Sequence, residues 1–221
     1  MLKLRLEKNN FNSFKFYFPK YSLLLVFLCL FMKSQMKLLG VDDGSFHFGE
    51  KTTIIVGTIM RANGYIEGVL KREIHIDGSD ATDVLIDMIV HTYHRKQLQA
   101  ILLDGGSVGG FNIIDIERIF QETQLPVMTI SRDSPNFEDI KKALRAHFSD
   151  WDVRYNLLKK GDLYHIKTKY NPIYLKCVGL ELEKAKEIIT LSTIQGVIPE
   201  PLRVAHLIAS GITSGESYGK T

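Results

Sequence analysis

Thr53-Ile-Ile-Val-Gly-Thr-Ile-Met-Arg61, Ala62-Asn63-Gly64 and Tyr65-Ile-Glu-Gly-Val-Leu-Lys-Arg-Glu-Ile-His-Ile76 form the stretch whose reading decides the fold. Two runs rich in β-branched and aliphatic residues flank an Asn-Gly pair, the pattern of an antiparallel hairpin with a tight turn. Ahead of it, Lys37-Leu-Leu-Gly-Val41 reads as a short buried strand joined to the hairpin by a loop. A dinucleotide-binding sheet would need a helix after its first strand; here a hairpin stands in that place.

Behind the hairpin, Leu85, Met88, Ile89 and Thr92 recur at helical spacing, with Asp80 placed to cap their helix. Gln99 to Leu103 reads as a buried strand ending in Asp104-Gly105-Gly106. Ile113, Ile116 and Phe120 mark a second helix, and Pro126 to Ser131 a fifth strand. Ser134 as cap and Pro135 at the first position open a third helix, with Phe137, Ile140 and Leu144 on its inner face. The order β-β-β-α-β-α-β-α, three antiparallel strands feeding two right-handed crossovers, predicts an α/β protein with a ribonuclease H-like mixed sheet. Strand one then lies between strands two and four. C-terminal α+β additions follow: strands at Leu163 to Thr168 and Ile173 to Val178, a helix at Glu181 to Thr190, and a largely apolar helix at Pro201 to Ile212.

The 221 residues are 45% hydrophobic and 24% charged, which excludes disorder and a disulfide scaffold. The formal charge of +3 is misleading. Met1 to Gln35 carries six Lys or Arg against one Glu, +5, which leaves 22 against 24, −2, for Met36 to Thr221. A mildly acidic body has no overall electrostatic footprint for nucleic acid, so such binding must use local patches or metal ions. Within the leader, the apolar run Tyr21 to Met32 would reach about 18 Å as a helix, where a bilayer core needs about 30 Å. No small-residue cleavage site follows it. Residues 1–35 are therefore read as a misassigned start or disordered leader; a membrane-surface or signal segment and an ordered extension are the alternatives. Residues 36–221 are read as one domain, with no stable membrane span. Cys29 and Cys177 are the two cysteines; they fit a reducing, cytoplasmic location and leave no cysteine zinc site.

If strands one and four are parallel neighbours, Asp42 and Asp104 share one sheet edge. Two such carboxylates repel unless protonated or bridged by a cation, and hard oxygen donors select Mg²⁺ or Mn²⁺. Asp43 beside them, and Asp77 and Asp80 after strand three, are the candidates to complete the site. Ions held there turn water into a nucleophile and stabilise the departing oxygen of a phosphodiester. The competing reading is that these aspartates open turns beside Gly44 and Gly105. Gly105, Gly106, Gly109 and Gly110 make a loop that a nucleic-acid backbone or an extruded base can approach closely; it matches neither the dinucleotide nor the Walker pattern. Arg132 is placed to meet a nucleic-acid strand, together with Lys141, Lys142 and Arg145 on a helix face. His206, in an apolar helix, reads more as a core histidine than as a site residue. A non-catalytic nucleic-acid-binding module and a nucleotide phosphotransferase are the alternative functions.

Five segments carry a resemblance: Leu-Gly-Val-Asp-Asp-Gly-Ser-Phe (Leu39 to Phe46), Ile-Asp-Gly-Ser-Asp-Ala-Thr (Ile76 to Thr82), Leu-Leu-Asp-Gly-Gly-Ser-Val-Gly-Gly-Phe-Asn (Leu102 to Asn112), Leu-Pro-Val-Met-Thr-Ile-Ser-Arg (Leu125 to Arg132) and Pro-Glu-Pro-Leu-Arg-Val-Ala-His (Pro199 to His206). In this order they resemble the archaeal endonuclease dU family, which is related to endonuclease V. The resemblance implies metal-dependent nicking of DNA at deaminated bases in DNA repair, with deoxyuridine as the substrate, in damaged, single-stranded or mispaired DNA. It implies that Asp42 matches the first-strand aspartate of endonuclease V and Asp104 that of its Asp-Gly motif. Endonuclease V has a glutamate after its third strand, where this chain has Asp77 and Asp80; its later histidine corresponds to His206. The strand-separating wedge of endonuclease V has no counterpart here.

Overall fold

Apolar runs in the central strands, alternation in Ile66–His75 and apolar stripes along the helices produce the elements seen in a computed structural model that describes residues 33–217. They are β1 (Lys37–Asp43), β2 (Thr52–Arg61), β3 (Ile66–His75), α1 (Ala81–Val90), β4 (Leu98–Asp104), the two-residue strands β5 (Ser107–Val108) and β6 (Asn112–Ile113), α2 (Ile116–Thr123), β7 (Val127–Ser131), α3 (Phe137–His147), α4 (Trp151–Lys159), β8 (Tyr164–Ile166), β9 (Ile173–Val178), α5 (Leu182–Ser192) and α6 (Glu200–Ser214). The apolar run Tyr21 to Met32, with Cys29, lies outside the described residues. No helix among the described residues is long and apolar enough to cross a membrane.

Seven strands form one sheet in the order β3-β2-β1-β4-β7-β9-β8. β1 pairs antiparallel with β2 and parallel with β4, and β4 pairs parallel with β7. This is the ribonuclease H-like plan. The C-terminal strands extend the same sheet, β9 running antiparallel to β7. One face packs Leu39, Val41, Ile101 and Leu103 against α1 and α2; the other packs Leu38, Leu102, Met128 and Ile130 against α5 and α6. Central strands covered on both faces read as continuous apolar runs, which is why Leu98–Asp104 carries its signal in composition and not in alternation.

Three local expectations are corrected. The third helix begins at Phe137: Asn136 is its cap, accepting from the Asp139 amide at 3.3 Å, and Ser134 and Pro135 stay in the preceding loop. A strong cap acceptor just before the apolar stripe overrides an earlier Ser-Pro signal. Ile113 belongs to β6 rather than to a helix, because the glycine-rich segment folds back on itself as the β5–β6 hairpin. Asp80 stands at the start of α1 without capping it by its side chain, whose oxygens are taken by His75 and Asn112. α4, with buried Tyr155, has too little apolar periodicity to be read from sequence.

α6 crosses the sheet at unusually close range. A Cβ on Gly40 would stand 2.6 Å from the Cβ of Pro201 and overlap its backbone, while Thr58 Oγ1 donates to the Pro201 carbonyl at 2.6 Å. Replacing Gly40 therefore forces helix and strand apart. Gly40→Ala is expected to destabilise the protein by about 1–3 kcal/mol, the usual cost of overpacking, read as a lower midpoint in urea with an unchanged slope.

Candidate active site

Val41 is paired with Leu103, so the next residue of each strand, Asp42 and Asp104, stand side by side at the carboxyl edge of the sheet, on strands about 4.8 Å apart. Asp42 is 5% exposed and fully engaged: Oδ1 accepts the Asp43 amide at 2.9 Å, and Oδ2 lies 2.8 Å from His206 Nδ1. A carboxylate only accepts, so His206 carries its proton on Nδ1 and leaves Nε2 without a bond to any described residue. The hydrogen bond to Asp42, followed by the charges of Asp42 and Asp104, raises the His206 pKa against the effect of burial. His206 is thus not a core residue: its side chain is 35% exposed and meets Asp42, which places it in the candidate site.

The Asp104 carboxylate accepts no hydrogen bond from a described residue. Burial, then repulsion by Asp42, pushes its pKa up to about 6, opposed by the charges of Arg132 and His206. Asp43 is likewise raised to about 6, by burial and by the Asp42 charge, although it accepts the Gly109 amide at 2.7 Å. The structure therefore brings together Asp42, Asp43, Asp104, Arg132 and His206.

Asp77 and Asp80 serve the glycine-rich loop instead. Asp77, at a φ of 57°, accepts the Phe111 amide at 2.8 Å, and its amide donates to the Gly109 carbonyl at 2.8 Å. Gly110, at a φ of 83°, leaves the room that the Asp77 carboxylate occupies. Asp80 accepts from the amide and ring of His75 and, at 2.6 Å, from Asn112. Neither is among the charges that shift Asp43 or Asp104; the carboxylate beside the central pair is Asp43. The N–H groups of Gly105 and Gly109 are taken by the Ile130 carbonyl and by Asp43, so this loop is not an open phosphate cradle. Gly105 and Gly106 line a cavity of about 290 Å³ between α2, α3, α4 and β9. Of the basic cluster, Lys142 pairs with Asp139, and Lys141 and Arg145 lie over the Tyr155 and Trp151 rings.

Two residues escaped the sequence reading. Asn112, fully buried, donates to Asp80 and to the His75 carbonyl and accepts the Ala81 amide at 3.0 Å. Arg154 reaches from α4 to the carbonyls of Asp77, Gly78 and Phe111 at 3.0, 2.7 and 2.7 Å, with its guanidinium over Phe148. Together they rivet the loop that carries Gly109. Their partners are backbone groups distant in sequence, which no local motif announces.

The endonuclease dU family model matches residues 34–213. The chain belongs to the endonuclease dU family. It is 47% identical over 192 residues to a UPF0215 protein of Methanosarcina mazei, 86% of this chain and 96% of that one. A relative of the same name from Methanothermobacter thermautotrophicus is 41% identical over 189 residues, 85% of this chain and 93% of the relative. Among solved structures, a protein of unknown function from Archaeoglobus fulgidus superposes with a TM-score of 0.73 at 36% identity, covering 80% of this chain and 98% of that chain. Human endonuclease V superposes with a TM-score of 0.52 at 16% identity, covering 79% of this chain and 83% of its own. Ciona intestinalis endonuclease V, in complex with a 23mer DNA containing an inosine, gives 0.53 at 13%, covering 81% and 86%. The chain thus shares the fold of endonuclease V.

Among the described residues no three His, Cys, Asp or Glu side chains already form a metal cluster, since Asp42 is turned to His206 and to the Asp43 amide. The donor chemistry nevertheless fits a hard divalent cation: neighbouring carboxylate oxygens, one of them on an unpartnered Asp104, that hold protons for want of a positive charge. Folded Asp43 and Asp104 release their protons near pH 6 rather than 3.8, and folded His206 releases its own later than when unfolded. All three bind more protons folded than unfolded, so stability falls as pH rises, between 3.8 and about 6 for Asp43 and Asp104 and above 6.5 for His206. The carboxylates whose pKa is lowered, such as Glu67 and Asp150, act below about pH 5. The melting temperature in metal-free buffer is expected to fall between pH 5 and 7.5. Asp104→Asn should flatten that fall, and Mg²⁺ or Mn²⁺ at pH 7.5 should restore stability in the unsubstituted chain but not in the variant.

Proposed function

We propose that this protein is a divalent-metal-dependent endodeoxyribonuclease of DNA repair that acts in the cytoplasm and nicks DNA at a deaminated base, deoxyuridine foremost. The observation that carries the reading is the pair of adjacent carboxylates Asp42 and Asp104, set side by side at the open edge of an endonuclease V fold. Asp42, Asp104 and Asp43 would hold Mg²⁺ or Mn²⁺, and such an ion activates water and neutralises charge on a phosphodiester. Arg132, near enough to Asp104 to shift it, offers a second positive charge for the phosphate. His206, fixed by Asp42 through Nδ1 and with its pKa raised by that bond, would in its doubly protonated form offer the Nε2 proton to the leaving oxygen.

The choice of a deaminated base is supported by the cavity that opens directly after Asp104. Its volume, about 290 Å³, lies just under the roughly 300–1,000 Å³ of sites for drug-sized ligands, a size suited to one extruded base. Lys176, on its wall, donates to the carbonyls of Leu158 and Lys160 at 2.7 and 2.8 Å, leaving one of its three N–H donors. Deamination replaces an amino donor with a carbonyl acceptor, so an N–H on the wall favours uracil over cytosine. A mispaired base also costs less to unstack.

Labelled duplexes containing one deoxyuridine, one deoxyinosine or no lesion, incubated with Mg²⁺, Mn²⁺ or EDTA, test the proposal. Nicking is expected at deoxyuridine, with either metal and not with EDTA. Asp42→Asn and Asp104→Asn should cut activity by more than the roughly 10–100-fold typical of losing a group behind a metal ligand, with thermal unfolding retained. Binding without cutting of any duplex would make the chain a non-catalytic module, and equal cutting of the undamaged duplex a general nuclease. Preference for deoxyinosine would transfer the substrate to that of endonuclease V.

A further inference from the structure

The loop between β1 and β2, Gly44-Ser45-Phe46-His47-Phe48-Gly49-Glu50-Lys51, leaves the site directly after Asp43. It exposes two aromatic rings: Phe48 is fully exposed and Phe46 37% exposed. The loop is tied down where it starts. Ser45 Oγ bonds Thr213 Oγ1 at 2.8 Å and Ser214 Oγ at 2.5 Å on the last turn of α6, and Gly44 exchanges backbone and side-chain bonds with Ile54 and Thr53. Its tip is closed by Glu50, whose carboxylate accepts the His47 amide at 2.9 Å while its own amide donates to the His47 carbonyl at 3.2 Å. Gly49, at a φ of 95°, completes that turn. Phe46 Cζ lies 3.6 Å from where a Cβ on Gly110 would stand, so its ring rests on the glycine-rich loop.

A tethered loop that rests one phenyl ring partly exposed on the glycine-rich loop and holds a second wholly in water presents a small apolar patch beside the site, which marks a contact surface. Its place in the sheet narrows the partner. In the order β3-β2-β1-β4-β7-β9, the aromatic loop lies on the β2 side of the Asp42–Asp104 centre and the cavity on the β7–β9 side. A strand crossing the edge from one to the other spans roughly 10–15 Å at about 4.8 Å per strand, so a scissile phosphate at the centre puts neighbouring bases against the rings. Bases stack on aromatic side chains whatever their sequence.

We propose that Phe46 and Phe48 form a stacking platform for bases of the DNA strand next to the scissile phosphate, on the side opposite the cavity. The inference rests on the nuclease reading above for its substrate, but its readout does not need turnover. The full chain is titrated against a fluorescein-labelled 20-nucleotide single strand in EDTA, with fluorescence anisotropy as the signal. Phe48→Ala, Phe48→Leu and the pair Phe46→Ala with Phe48→Ala are each expected to weaken binding by at least about fivefold, the lower end of losing one base–aromatic stack. Phe48→Tyr should bind as the parent does, since it keeps the ring, and all variants should melt with the parent because the rings are outside the core. Unchanged binding in the double variant overturns the platform, as does Phe48→Leu matching Phe48→Tyr, which would mean that any apolar group suffices. A parent chain that is dimeric, with Phe48→Ala monomeric and binding DNA normally, overturns it in favour of a second copy of the chain. A parent that cuts no substrate, yet loses strand binding in these variants, defeats the catalytic reading and leaves the platform standing.

Discussion

The parallel pairing of β1 with β4 is the constraint on which the rest of this structure depends. It sets Asp42 and Asp104 side by side at the end of a sheet whose interior is apolar, where two like charges cost most. Everything nearby moderates that cost. The Asp43 amide and the His206 ring bind Asp42, and Arg132 adds positive charge near Asp104, yet Asp104 and Asp43 still hold protons up to about pH 6. A site left this unfavourable by its own fold has the chemistry that the proposed cation would relieve, and binding one would recover stability lost in making the site.

That geometry reaches back into the packing. His206 can meet Asp42 only if α6 lies against the sheet without a side chain between them, and Gly40 under Pro201 makes the contact possible. The Thr58 hydroxyl then ties β2 to the Pro201 carbonyl in the first turn of the helix, where proline leaves no amide to satisfy. A single missing methyl in β1 thus controls a hydrogen bond at the site two residues further on.

The other acidic residues show why a cluster of aspartates is not a site in itself. Asp77 and Asp80 sit near the glycine-rich loop as building parts, satisfying amides of a segment in which Gly109 and Gly110 have positive φ and no regular structure supplies partners. Asn112 and Arg154 complete that network from a β-bridge and a helix. The result is a loop held by many hydrogen bonds that offers Asp43 one amide and opens the cavity on its other side.

Much of this was legible in the chain. The Asn63-Gly64 turn between two β-branched runs, and the absence of a helix after Val41, are local signals, and handedness rules convert their order into one topology; hence the ribonuclease H-like sheet and the partnership of Asp42 with Asp104 follow from sequence alone. The roles that depend on where distant segments meet did not. Asp43 and Asp77 are equally acidic and equally close to glycine, and only the fold decides that one faces Asp42 and the other an amide of the loop. His206 in an apolar helix looks like a core residue until the fold brings it to Asp42. Periodicity reports which face of an element is buried, since the chain's own geometry sets that period; it carries no information on which polar groups of separate elements come within 3 Å of each other, because packing alone fixes those distances.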